Sequence, residues 1–312
     1  KCGAKRIDEQ FGLEKTYQDY IANTVKVFET FKPKLKETAT IWWNVGDSYK
    51  DKNLLMIPNR VAIALQMAGW YIRSEIIWHK PNPMPESTKD RPTSAHEKIW
   101  LITKNKKYYY DADAIKEPFA QGTHLRYHNQ KDILKNQKGS FVAHAGKKSN
   151  GAMKPVISGV KRNKRNVWTV TAKPFKDAHF ATFPKDLIEP CIKAGCPEKV
   201  CVKCGKPQVK ELYRDVETKE VHRNVRKGNG DRAIGGQYTK WMQENPYKIR
   251  IKPSCDCNAD FKPGVVLDPF GGAGTTGIVA KSLNRQAILI ELNPEYIEIA
   301  QNRMNKEFGM FL

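Results

Sequence analysis

The segment Gly264-Val-Val-Leu-Asp-Pro-Phe-Gly-Gly-Ala-Gly-Thr-Thr276 constrains this chain more than any other part of it. Val265, Val266 and Leu267 make a short apolar run of the kind that lies buried in a sheet. Asp268 closes the run, and a glycine-rich turn leads into a helical stretch from about Thr275 to Leu283. Strand, glycine turn and helix in succession are how an open α/β sheet holds a nucleotide-like ligand at the carboxyl ends of its strands. The glycines let backbone approach the ligand with no Cβ in the way. The next strand, Gln286–Ile290, ends in Glu291, 23 residues beyond Asp268. An acid at that offset accepts hydrogen bonds from both hydroxyls of a ribose. A dinucleotide site of the dehydrogenase type is the alternative, but its G-x-G-x-x-G spacing is absent: Gly271, Gly272 and Gly274 are followed by Thr275 and Thr276.

The position of this unit sets the architecture. Only a helix from Pro294 to about Lys306 and a short tail follow the Glu291 strand. Two strands do not make a stable sheet alone, so the rest must come from upstream. Ala39–Val45, Tyr71–Trp78 and Lys98–Thr103 are β-rich runs. Helices separate the earlier ones. Thr16 and Asp19 give a capping-box signal, and Tyr17, Ile21, Val25 and Phe28 follow at helical spacing. Pro58 suits a first helical turn, Val61, Leu65 and Ala68 continue that stripe, and Gly69 stops it. Strands alternating with helices predict an α/β fold with a mostly parallel sheet and helices on both faces. The motif order is permuted relative to a chain that opens with its cofactor site.

The 312 residues carry 54 Lys+Arg against 33 Asp+Glu, a net charge of +21, which suits a polyanionic partner. The excess is concentrated. Between Gln121 and Asn166 stand Arg126, Lys131, Lys135, Lys138, Lys147, Lys148, Lys154, Lys161, Arg162, Lys164 and Arg165, with Asp132 as the one acid. His124, Tyr127, His128 and His144 are interleaved, and hydrophobic periodicity is weak. Such a stretch is a poor core and a good phosphate-contacting surface, with planar side chains able to read base edges. A solvated linker is the alternative, and both hold if a polyanion orders the segment. No run is apolar enough to span a bilayer, and the N-terminus has no signal-peptide pattern. The expected location is the cytoplasm.

A second dense signature is Ile77-Trp-His-Lys-Pro-Asn-Pro-Met-Pro-Glu86, followed by Arg91-Pro-Thr-Ser-Ala-His-Glu97. Its prolines forbid regular structure and predict a rigid loop on the ligand rim of the sheet. A plain proline-rich connector is the alternative. Taken with Asp-Pro-Phe-Gly-Gly-x-Gly-Thr-Thr and Glu291-Leu-Asn-Pro-Glu-Tyr296, these residues resemble the β group of amino DNA methyltransferases. Ala39–Tyr49 is similar to an earlier motif of that family, and Val167–Val170 with His179–Leu187 to the segment covering the cofactor. The resemblance runs through nearly the whole chain. Base-side motifs come first, then the basic segment, then the cofactor motif, the order that defines the β group.

The resemblance implies a Rossmann-like class I methyltransferase fold that binds S-adenosylmethionine and acts on double-stranded DNA. It implies a cofactor site of Asp268, Phe270, Gly271, Gly272, Gly274, Thr275, Glu291 and Asn293, with His179, Phe183 and Pro184 near the methionine end. Lys80, Asn82 and Met84 would border the flipped base. Arg126, Lys131, Lys147, Lys148, Lys161, Arg162, Lys164 and Arg165 are the DNA-contacting candidates. A cognate restriction endonuclease is the implied partner, and the host a bacterial, archaeal or phage-infected cell. The family's hallmark, Asp/Ser/Asn-Pro-Pro-Tyr/Phe, is not found in these residues. In relatives it comes just before the region matching Phe11–Glu14, so the expectation is an S/D-P-P-Y/F motif upstream of Lys1; a natural pseudoenzyme that keeps the fold is the alternative. The loop style of Trp78–Ser87 accompanies the serine form in relatives and points to cytosine N4, with adenine N6 the runner-up and RNA methylation a third option.

Methylation of an exocyclic amine needs no covalent attack on the ring, whereas carbon-5 cytosine methylation needs a cysteine nucleophile. Pro190-Cys191 offers one superficially, but Cys191 continues the helical run Leu187, Ile188, Ile192 and reads as a buried helix residue. Of the seven cysteines, Cys201-Val-Lys-Cys204 and Cys255-Asp-Cys257 are spaced to close a tetrahedral structural zinc site, with Cys196 a possible substitute ligand. Redox activity is the alternative for Cys-x-x-Cys alone. The expected organisation is a base-side half over 1–118, a basic target-recognition segment over 119–166, a cofactor-covering segment over 167–195, a zinc-binding insertion over 196–260 and a cofactor-binding half over 261–312. Arg223, Arg226, Lys227 and Arg232 leave open whether the insertion touches DNA.

Overall fold

The computed structural model describes residues 11–118, 161–172, 183–213 and 248–309. The chain divides into two compact units. The first comprises Lys1–Ile115, Asn163–Val200 and Phe261–Leu312, and the second Lys116–Arg162 and Cys201–Asp260.

The first unit begins with helix α1 (Tyr17–Phe31), and its cap forms as the Thr16/Asp19 spacing predicts. Thr16 Oγ1 accepts the Asp19 amide at 3.1 Å, satisfying a donor that the first turn leaves without a partner. Strand β1 (Thr40–Val45), a short hairpin of β2 (Tyr49–Lys50) and β3 (Asn53–Leu54), and helix α2 (Ile57–Met67) follow. Pro58 stands in the first turn of α2, and Gly69 leaves it at φ +85, where a side chain would be strained. Strands β4 (Tyr71–His79), β5 (His96–Thr103) and β8 (Val167–Thr169) complete a four-stranded sheet in the order β1-β5-β4-β8.

Three strands of this sheet, β1, β4 and β8, run in one sense, as expected of a mostly parallel sheet, and β5 alone runs against them. β5 runs antiparallel to both β1 and β4, while β4 and β8 are parallel. The reason is the connection. Between β1 and β4 the chain crosses over through α2, which sets the two strands in one sense. Between β4 and β5 only the proline loop intervenes, so β5 must return along its neighbour. Alternation along β5 then loads both faces. Trp100 and Ile102 join Phe28, Val45, Val61, Leu65 and Trp70 under α1 and α2. Ile99 and Leu101 join Ile76, Trp78, Trp168, Leu187 and Cys191 on the other face, under helix α3 (Lys185–Gly195). Phe28 is fully buried at the centre of the first cluster, so Phe28→Ala would remove roughly 3–5 kcal/mol.

Strand β13 (Val265–Asp268), helix α4 (Thr275–Ser282), strand β14 (Gln286–Leu289) and helix α5 (Pro294–Phe308) end the unit, with β13 and β14 parallel. A third cluster of Ile192, Cys196, Val279 and Ala280, with Val266 packed against it, ties α3 to this βαβ piece. Strand β9 (Lys199–Cys201) pairs with β12 (Phe261–Pro263).

In the second unit, β6 (Glu117–Pro118) pairs antiparallel with β7 (Lys161–Arg162), and Arg162 Nε meets Glu117 at 2.9 Å. The same unit contains a longer antiparallel ribbon of β10 (Gln208–Tyr213) and β11 (Lys248–Pro253), a separate two-stranded sheet. No helix among the described residues is long and apolar enough to cross a membrane.

Candidate active site and cysteine cluster

The glycine turn sits at the carboxyl end of β13, and two acids fix its shape. Asp268 Oδ1 accepts the Phe270 amide at 3.0 Å, and Oδ2 accepts the Thr276 hydroxyl at 2.5 Å. Glu291, at the end of β14, reaches across the turn. One of its oxygens accepts the Gly272 amide at 2.7 Å and the other the Asn293 amide at 2.9 Å. Each oxygen keeps lone-pair capacity, so the carboxylate is oriented by backbone yet still able to accept from a diol.

The glycines have separate reasons. Gly274 has φ +75, and a Cβ there would stand 2.9 Å from the Ala300 Cβ on α5. Gly272 has φ +46 but open space around it. A Cβ on Gly271 would stand 3.0 Å from Leu289. Helix α4 starts directly from the turn with Thr275, Thr276 and Gly277 buried. Arg303 of α5 donates to the carbonyl of Ala273 and, at 3.1 Å, to Thr275 Oγ1. Asn293 uses its side chain to cap α5, accepting the Glu295 amide at 2.9 Å.

Phe270 is partly exposed and makes an aromatic wall with upstream residues. Its ring centroid is 5.0 Å from Phe11 and 5.7 Å, edge-on, from Trp43. Phe11, Trp43, Ala300 and Arg303 are site neighbours that the motifs did not single out. Ala300 and Arg303 lie three apart on one helix face, a spacing that identifies the side of α5 turned to the turn. Nothing in the sequence ties Phe11 or Trp43 to Phe270.

The proline loop is anchored at its start. Trp78 Nε1 donates to the Val170 carbonyl at 2.8 Å. Asn82 exchanges two hydrogen bonds with the backbone of Ala172, donating at 2.9 Å and accepting at 3.0 Å. Its amide acts as a substitute peptide group, holding the loop to residues 167–172. Lys80 pairs with Glu97 and lies over the Trp78 ring, 4.3 Å from its centroid. Met84 is exposed. Phe183 packs against the cluster under α3, and Pro184 is that helix's buried N-cap. His179 lies outside the described residues. The same holds for Arg126, Lys131, Lys147 and Lys148, and for Arg223, Arg226, Lys227 and Arg232. Lys161 is described only as backbone in β7, opposite Pro118. Lys164 lies over the Trp168 ring at 5.0 Å, and the Arg165 carbonyl accepts from Trp168 Nε1. Cys191 is buried in α3, and burial pushes its thiol well above the usual range. It therefore has no thiolate to offer as a nucleophile.

The sulfurs of Cys201, Cys204, Cys255 and Cys257 all lie within 4.8 Å of one another. A tetrahedral Zn–S₄ site with bonds near 2.3 Å sets its sulfurs about 3.8 Å apart, so the four fit a metal with small adjustment. The amides of Cys204 and Lys203 hold the Cys201 thiol down at about 7. Hydrogen bonding with Cys204 and Cys255 pushes the Cys257 thiol up to about 12. The Cys255 thiol is pushed up as well, so Cys201 is the thiol of the three most readily ionised. Cys196 is buried elsewhere, its Sγ turned to the Pro197 carbonyl, and takes no part in the cluster.

Residues 3–203 and 217–302 match the model of the N6/N4 methyltransferase family described as "DNA methylase". Among similar proteins is type II methyltransferase M.Cfr9I of Citrobacter freundii, 33% identical over 96% of this chain and 76% of its own length. Type II methyltransferase M.SmaI of Serratia marcescens is 30% identical over 95% and 77%. Among solved structures, the PvuII DNA methyltransferase (cytosine-N4-specific) superposes with a TM-score of 0.53 at 15% identity, covering 96% of this chain and 75% of that one. That likeness shows a shared fold. The strand–turn–helix unit, its two anchored acids and these matches together establish that the chain belongs to the DNA methylase family, as an S-adenosylmethionine-dependent type II DNA amino-methyltransferase.

Proposed function

We propose that this protein methylates the exocyclic N4 of cytosine within a specific sequence of double-stranded DNA. The choice of cytosine is carried by the base-side loop, Trp78-His-Lys-Pro-Asn-Pro-Met-Pro-Glu-Ser87, whose style accompanies the serine form of the hallmark motif. The name of the PvuII enzyme, cytosine-N4-specific, supports the same choice. The cofactor supplies an electrophilic methyl group on sulfonium sulfur. The residues of this chain bind and orient. The Gly271–Gly274 backbone lets the cofactor approach, and Glu291 accepts from its ribose. Phe270, Phe183 and Pro184, with His179, flank the methionine end. Lys80, Asn82 and Met84 border the extruded base. Most of the rate then comes from positioning and preorganised electrostatics.

The basic residues of 119–166, with Arg162, Lys164 and Arg165, contact the duplex. Cys201, Cys204, Cys255 and Cys257 hold a structural zinc ion. A cognate endonuclease acting on the same site is the expected functional partner, in the cytoplasm of a bacterial, archaeal or phage-infected cell. Base-resolution methylation mapping of DNA from cells expressing the intact gene tests the reading. N4-methylcytosine within one short sequence is the expected result. N6-methyladenine would replace the base assignment, and absence of any new mark would overturn the activity.

A further inference from the structure

We propose that the β10–β11 ribbon is a DNA-contacting arm whose basic face lies on the phosphate backbone of the duplex, with the cysteine cluster pinning its base. The proposal rests on the DNA-methylating function and assigns a part of the chain that this function leaves idle.

Three observations carry it. The first is how the second unit is put together. Two stretches remote in sequence, Lys116–Arg162 and Cys201–Asp260, form one compact unit. Its described residues, 116–118, 161–162, 201–213 and 248–260, hold nine Lys+Arg against four Asp+Glu. Charge of one sign gathered on one unit is the electrostatic footprint of a nucleic-acid surface.

The second observation is the register of the ribbon. Val209 pairs with Lys252, Glu211 with Arg250 and Tyr213 with Lys248. Directly opposed residues share a face, so one side of the ribbon presents Lys248, Arg250 and Lys252 in a row with Tyr213. Glu211 is the one acid that β10 and β11 themselves place on that face. Its carboxylate meets Arg250 at 2.6 Å and Lys252 at 2.5 Å, so a single charge is shared between two cations and the face stays net positive. The Arg250 guanidinium lies 5.1 Å from the Tyr213 ring centroid. Every residue of β11 is exposed.

The third is the position of the thiols. Cys201 and Cys204 immediately precede β10, and Cys255 and Cys257 immediately follow β11. Both strands therefore leave from one cross-linked point when a metal is bound. A two-stranded ribbon alone is marginal in water, and a metal at its base fixes the register that aligns the three cations. A ribbon of this width fits along a groove of B-DNA, with its cations on the bounding phosphates.

The test uses the zinc-loaded full chain, duplex oligonucleotides with and without the mapped methylation sequence, and a series of salt concentrations. R250A/K252A should bind both duplexes more weakly by the same factor. The slope of log affinity against log salt should shrink by about 1.8, or roughly 0.9 for each phosphate contact removed. S-adenosylmethionine affinity should not move. E211Q supplies an opposite sign: removing the acid from the face should tighten DNA binding at low salt, whereas a merely structural ion pair would give no gain. Zinc content and melting temperature identify a variant that has lost its fold. Unchanged affinity and slope in R250A/K252A with full zinc, or no gain in E211Q, overturns the proposal. So does an effect confined to RNA or to a protein partner. If the parent protein places its mark on DNA while the ribbon variants behave like it, the arm alone is wrong. If the parent leaves no mark, the function beneath it is wrong.

Discussion

At the scale of single residues, the glycine turn after β13 separates two kinds of glycine. Gly274 needs both its positive φ and its missing Cβ, because Ala300 stands 2.9 Å from where a Cβ would be. Gly272 needs only its φ. Gly274→Ala should therefore lower stability by about 1–3 kcal/mol, from left-handed strain plus crowding, and Gly272→Ala by about 1. Thermal melts of the two variants side by side check the order. Glu291→Gln should weaken cofactor binding about tenfold or more, because the amide presents N–H groups to one of the two backbone amides that now donate to it. Calorimetric titration with S-adenosylmethionine measures this. Cys191 offers a clean negative. Its thiol is held neutral by burial, so Cys191→Ala should keep methyl transfer within about twofold while lowering stability by about 1–2 kcal/mol. A large loss of turnover in a well-folded variant would restore the cysteine-nucleophile alternative.

At the scale of elements, the informative feature is how the proline loop is tied down. Asn82 exchanges two hydrogen bonds with Ala172, and Trp78 reaches Val170. Asn82→Ala removes both hydrogen bonds, at about 0.5–1.5 kcal/mol each at most, because the groups are exposed and water takes Asn82's place. The loop should then be cut faster by proteases, and KM for DNA should rise more than kcat falls. Limited proteolysis and steady-state kinetics together check this; equal sensitivity to protease would remove the clamp. The elements were largely legible beforehand. Hydrophobic period and caps predicted α1, α2, α5, β1, β4 and β5 to within a few residues, since local spacing decides local structure. The β10–β11 ribbon was not legible, because Ile249 and Ile251 alternate with cations on two exposed faces and mimic a solvated stretch.

At the scale of the whole molecule, the four clustered thiols and the cationic ribbon fall in the second unit. Chelation should remove the stability of the second unit while leaving cofactor binding in the first. Two melting transitions that respond differently to chelator, with unchanged S-adenosylmethionine affinity, are the expected outcome; loss of cofactor binding on chelation would refute it. The sequence alone determined the family, the strand, glycine turn and helix, the four clustered thiols and the basic surplus. These are encoded in short spacings that mean the same in any context. Only the tertiary structure decided the antiparallel place of β5, the aromatic wall of Phe11 and Trp43 around Phe270, the use of Asn82 and Asn293 as backbone partners, and the union of 116–162 with 201–260 in one body. Each of these depends on which distant segments meet. Chain order alone does not encode that, because closing a loop of a hundred residues is only slightly less favourable than closing one of fifty.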